Sequence, residues 1–137
     1  EAVDLAEPLI AAGIAPIFLL APTSSSERIR HTAELAQGYL YYVSLKGVTG
    51  SAALNVAEVA DKLAVIRALT DLPLGVGFGI KDPPTAAAVA RIADAVVVGS
   101  ALVGKMGELA GDPKRMRREV GELLAAMRKA MDRLDQA

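Results

Sequence analysis

The sequence predicts an α/β fold of parallel βα repeats in a single domain, residues 1–137, and three observations carry that prediction. Apolar runs begin near Ile14, Tyr39, Leu74 and Ala93, and each is followed by an amphipathic helical pattern. Their spacing of about twenty to thirty-five residues is that of a strand, a crossover helix and a strand, which makes the strands parallel. The third observation is the stretch Pro73 to Gly104, where the runs Leu74–Ile80 and Ala93–Val98 both end in small residues and a new helix starts directly after the second. At 137 residues the chain supports one real core but falls short of a complete eight-fold barrel, which takes about 250.

The opening segment reads as a helix in which Leu5 and Leu9 share a face and Gly13 is the stop. Pro8 requires that this helix begin near Asp4, because an interior proline clashes with the preceding turn. A chain that begins inside a helix is expected to continue something upstream. Ile14 to Ala21 is a near-continuous apolar run, the pattern of a strand buried on both faces. Ser24 and Glu27 then have capping-box spacing before a helix to about Gln37, with Ile29, Ala33 and Ala36 inward. His31, the one histidine, lies within that helix, away from any loop expected to hold chemistry, and reads as a surface or packing residue.

Tyr39 to Ser44 is the next strand, and the loop Leu45-Lys46-Gly47-Val48-Thr49-Gly50 follows, either a plain connection or a segment that closes on a ligand. Asn55 and Glu58 cap a helix carrying Val59, Leu63, Ile66 and Leu69. After the strand at Leu74, Asp82 is the N-cap of a helix with Pro83 in its first turn. Ser100 to Leu109 is a short extra helix. Asp112-Pro113 opens a long one with Met116, Val120, Leu123, Leu124, Met127, Met131 and Leu134 on one face.

Composition excludes several function classes. The net charge is −1 with mixed signs, so no footprint for nucleic acid is present, and the basic group Lys114, Arg115, Arg117 and Arg118 reads as a solvated helix face. Cysteine is absent, which removes disulfides and thiol catalysis. No apolar run is long enough for a bilayer, and the cytoplasm is the default location.

The sharpest functional reading is a phosphate site. Barrels hold phosphate between the loops after the last two strands and the N-terminus of a short extra helix. Gly77-Phe78-Gly79 ends one strand here and Gly99-Ser100 the next. Glycines let backbone N–H groups approach phosphate oxygens, and the Ser100 hydroxyl adds a donor. The bland alternatives are that the glycines relieve crowding and that Ser100 is a plain N-cap. No lysine lies inside a strand, which argues against a Schiff base, and Asp94 sits at the N-terminal end of its strand, where barrels keep stability. Tyr41 either points into a barrel with its hydroxyl near the mouth or fills the core.

The segments APIFLLAPTSSSERI, YLYYVSLKGVTG, PLGVGFGI and ADAVVVGSALV, in that order, resemble the second half of the tryptophan synthase alpha chain family. The resemblance implies the C-terminal half, strands 5–8, of a (β/α)8 TIM barrel. It implies a lyase of tryptophan biosynthesis that cleaves indole-3-glycerol phosphate to indole and glyceraldehyde 3-phosphate, carries no cofactor itself and passes indole to a beta chain. By motif, Gly50, Gly79, Gly99 and Ser100 would hold the substrate phosphate and Phe78 would pack beside the indole. Tyr41 would be an active-site tyrosine, and Thr49 would help position a catalytic aspartate. The family's acid-base glutamate and indole-contacting aspartate belong to the first half, so the chain alone is expected to be inactive. A half-barrel also leaves strand edges exposed, which implies a homodimer or association with the missing N-terminal half. The alternative is a non-catalytic phosphate-binding or structural half-barrel module. An indole-glycerol-phosphate synthase would need a strand lysine and carboxylates that are absent.

Overall fold

A computed structural model of the chain describes residues 2–44 and 54–133. The element order is α1 (Ala2–Ala11), β1 (Phe18–Leu20), α2 (Ser26–Leu35), β2 (Leu40–Val43), α3 (Val56–Arg67), β3 (Leu74–Gly77), α4 (Pro83–Ala90), β4 (Ala95–Val97), α5 (Ser100–Glu108) and α6 (Pro113–Asp132). The four strands form one parallel sheet in the order β1-β2-β3-β4. Sequential order without reversal, with crossovers of one hand, keeps the connecting helices on one face, the arrangement of a barrel wall and not of a doubly wound sheet.

Burial follows that layering. On the helix side, Leu20, Leu40, Tyr42, Leu74 and Val76 pack with Ile29 of α2, Val59, Leu63 and Ile66 of α3, Ala86 and Val89 of α4, and Met127 of α6. Leu19 lies on the other face and is 60% exposed. The register aligns it with Tyr41, which pairs in turn with Gly75, and Gly75 with Ala95. One face is therefore a closed core and the other is left open, with Leu19 and Ala95 exposed on it.

The paired segments are shorter than the apolar runs, each for a local reason. β1 begins only at Phe18: upstream the Gln37 N–H still donates to the Pro16 carbonyl at 3.1 Å, but Gly38 at φ +81 interrupts the extended backbone before Leu40, and Pro16 has no N–H to donate. β3 stops at Gly77 because Phe78 and Gly79 both adopt φ +74. The caps Asn55 and Asp82 behave as their spacing predicts: each side chain accepts the N–H three residues on, and Asp82 forms a full capping box with Thr85. The Thr85 bonds hold the Asp82 carboxyl below its ordinary pKa.

Three expectations are corrected. The N-cap of α2 is Ser25, which accepts the Arg28 N–H, because the Ser24 hydroxyl is turned back to accept the Ala21 N–H at 3.0 Å. α1 begins at Ala2 and holds Pro8 in its interior, past the first turn where a missing N–H costs nothing, so the expected start near Asp4 does not hold. Its buried residue is Ala6, while Leu5 is 67% exposed, since an i, i+4 pair fixes a period without fixing which stripe faces the core. For the same reason α6 buries Val120 and Met127 and leaves Leu124 outward, and Leu134 lies outside the described residues. His31 is a surface residue beside Glu34, and the basic face of α6 is solvated, as expected.

Candidate functional site

The site is assembled at the C-terminal ends of β3 and β4. Gly77 and Val97 are partners in register, so Gly79 and Gly99 each leave the sheet two residues past the same pair, on strands about 4.8 Å apart. That places both glycine bends at one level of one sheet edge.

At the first bend, Phe78 is the one described residue other than glycine with positive φ, and Gly79 follows at the same value. Left-handed backbone at a side chain of this size costs about 1–2 kcal/mol, so something must hold it. Ser44, the first residue beyond β2, does so: its N–H donates to the Gly77 carbonyl at 3.1 Å, and its hydroxyl lies 2.7 Å from that oxygen and 2.8 Å from the Phe78 carbonyl. The Phe78 ring is left 50% exposed. Among the described residues, neither the Phe78 nor the Gly79 N–H has a protein acceptor.

The second bend opens α5. Gly99 is its N-cap, and Leu102 and Val103 both donate to the Gly99 carbonyl, at 3.0 and 3.1 Å. The N–H groups of Ser100 and Ala101 have no acceptor among the described residues, and the positive end of the helix dipole lies there. Ser100 is the first helical residue and not the cap, which removes the bland account of it. Gly99 has negative φ, and an added Cβ would meet nothing within 4 Å. The fold itself therefore does not demand glycine at that position, and the space in front of it is open.

Tyr41 lies on the open face of the sheet, half-buried. An added Cβ on Gly77 would fall 1.8 Å from the Tyr41 hydroxyl, so Gly77 is the space the ring occupies. Gly75 stands in the same relation to Tyr39, whose ring carbons lie 3.1 and 3.2 Å from the equivalent point. Both readings of Tyr41 thus hold in part: the ring packs on glycine, and the hydroxyl reaches the level of the bend. Burial, with Tyr39 adding to it, raises the Tyr41 hydroxyl above its ordinary pKa, so it is a neutral donor at neutral pH.

α5 buries no residue fully and is fastened by Lys105, which pairs with Glu119 of α6 at 2.7 Å, while Arg115 holds the other oxygen of Glu119 at 2.5 Å. The two cations pull the Glu119 pKa down to about 2. At the opposite end of the sheet Asp94 accepts from the Leu74 N–H at 2.8 Å and Arg67 at 2.9 Å, a structural role in keeping with its place at the strand's start.

Of the residues singled out from sequence, Phe78 and Gly79 stand at one bend, Gly99 and Ser100 at the next, and Tyr41 packs beneath the first. Thr49, Gly50 and Lys46 lie outside the described residues. Ser44 and the fit of Tyr41 into Gly77 were missed. The available signal for Ser44 was a lone hydroxyl closing an apolar strand beside the one that carries GVGFG. Among the described residues no cluster of carboxylates and histidine could hold a metal, and no helix is long and apolar enough to cross a membrane.

The family model described as tryptophan synthase alpha chain matches residues 1–132. The alpha chain of Thioalkalivibrio sulfidiphilus is 62% identical over 132 residues, covering 96% of this chain and 50% of that protein. The alpha chain of Methylococcus capsulatus is 56% identical, over 96% of this chain and 49% of that one. The crystal structure of tryptophan synthase subunit alpha from Legionella pneumophila superposes with a TM-score of 0.82 at 38% identity, over 97% of this chain and 48% of the other. The chain spans about half the length of the curated relatives it matches. With four parallel strands in barrel order and this match along nearly its whole length, the chain belongs to the tryptophan synthase alpha chain family and forms half of its TIM barrel.

Proposed function

We propose that this chain is the phosphate-binding half of a lyase of tryptophan biosynthesis that splits indole-3-glycerol phosphate into indole and glyceraldehyde 3-phosphate. The observation that carries the proposal is the set of N–H groups at Phe78, Gly79, Ser100 and Ala101, which have no protein acceptor among the described residues and sit at adjacent strand ends. Such amides, with a helix dipole behind them, suit a phosphate dianion. The half-exposed Phe78 ring offers an apolar surface to the indole, and the neutral Tyr41 hydroxyl offers a donor to the glycerol chain. By the family motif, Thr49 and Gly50, which lie outside the described residues, would belong to the same site.

Carbon–carbon cleavage needs a proton delivered to indole C3 while a glycerol hydroxyl loses its own and becomes the aldehyde. Neither Tyr41 nor any group at these bends is a carboxylate able to do both, so the acid-base residues come from the other half of the barrel. The open face, with Leu19 exposed and β1 and β4 as free edges, is covered by that half or by a second copy of this chain. The assembled alpha chain passes indole to a beta chain. Titration calorimetry with glycerol 3-phosphate tests the reading: the chain binds it, and Ser100→Glu, which places a carboxylate among the amides, abolishes binding. Equal binding by that variant refutes the site, and indole release by the chain alone at the rate of an intact alpha chain refutes the division of labour.

A further inference from the structure

We infer that Ser44 is a positioning residue for the phosphate site: its hydroxyl turns two consecutive peptide units so that their N–H groups face outward together. The inference rests on the phosphate reading above. The Ser44 Oγ lies within hydrogen-bond distance of two successive carbonyls, Gly77 at 2.7 Å and Phe78 at 2.8 Å, and one O–H is shared between them. In a trans peptide the N–H points opposite the C=O, and among the described residues no peptide is cis. Two carbonyls drawn to one oxygen therefore send the following N–H groups, those of Phe78 and Gly79, away from β2. Neither meets a protein acceptor among the described residues. Consecutive N–H groups aimed one way form an anion-binding concavity.

The arrangement also explains how a phenylalanine comes to hold φ +74. Without the hydroxyl, the Phe78 carbonyl loses its described partner, and Phe78 relaxes toward negative φ, which rotates the Gly79 N–H. The backbone bond from Ser44 to Gly77 remains at 3.1 Å, so the strand pairing survives the loss of the side chain. That separates positioning from folding.

The test compares the full chain with Ser44→Ala and Ser44→Thr, using inorganic phosphate and glycerol 3-phosphate as probes. Affinity is read by calorimetry and the Phe78 and Gly79 amides by nitrogen-resolved NMR. Ser44→Ala is expected to bind about tenfold more weakly, the effect of one lost hydrogen bond to a strained turn, with its unfolding midpoint little changed. The same variant changes the three-bond coupling that reports φ of Phe78 and loses the phosphate-induced shift of the Gly79 amide. Ser44→Thr keeps the hydroxyl and restores both. Should Ser44→Ala fail to fold, Ser44→Cys, similar in size and a weak donor, takes its place with the same expectation. Binding and coupling unchanged in the alanine variant overturn the inference alone, as does equal weakness of the threonine variant. A parent chain whose amides do not respond to either anion overturns the phosphate reading and this inference with it.

Discussion

The packing of Tyr41 on Gly77 gives the most decisive substitution. In Gly77→Ala the new Cβ would stand 1.8 Å from the tyrosine Oη, 2.6 Å from Cζ and 3.1 Å from Cε2. Ordinary contact is about 3.5–4.0 Å, so the ring tip must retreat by about 2 Å, or β3 must shift at its C-terminal end. Gly77 is buried and Tyr41 half-buried, so neither moves without disturbing neighbours. Overpacking of this kind costs about 1–3 kcal/mol. The assay is urea unfolding followed by circular dichroism, in a double-mutant cycle with Tyr41→Phe and Tyr41→Leu. Removing the hydroxyl leaves Cζ still within 2.6 Å, so Tyr41→Phe relieves part of the penalty and Tyr41→Leu most of it. The graded relief appears as a coupling energy of about 1 kcal/mol or more. Additivity within about 0.5 kcal/mol in both cycles refutes the reasoning, because independent sites behave that way.

Asp94→Ala leaves the Leu74 N–H without its 2.8 Å acceptor and Arg67 without its carboxylate. The ion pair is substantially exposed, so the expected loss of about 1–2 kcal/mol comes mainly from the backbone bond, and unfolding in urea checks it. Glu119, with its pKa lowered to about 2 from 4.5, binds protons less readily when folded than when unfolded. Its stabilisation is therefore present above pH 4.5 and is lost as pH falls toward 2; thermal melts across that window flatten in Glu119→Gln, and an unchanged profile refutes the assignment. Asp82→Ala removes the capping box of α4 and is expected to lower stability by about 1 kcal/mol, while Asp82→Ser, which keeps a cap acceptor, recovers most of it in the same melts.

Much of this molecule was legible in the chain itself. Element order, the caps at Asn55 and Asp82, the core face of α3 and the two glycine bends follow from rules that act over three or four residues, and such rules are written locally. The family motifs carried the half-barrel reading for the same reason, since KGVTG, GFGI and GSA are contiguous. Tertiary structure alone decided which stripe of α1 faces the core, that Ser24 turns back and leaves the cap to Ser25, and that Tyr41 fills the space at Gly77. It also decided the role of Ser44, whose carbonyl partner is 33 residues away in sequence. Those contacts depend on strand register and on the bend at Phe78, and no spacing along the chain encodes how far a side chain on β2 reaches across β3.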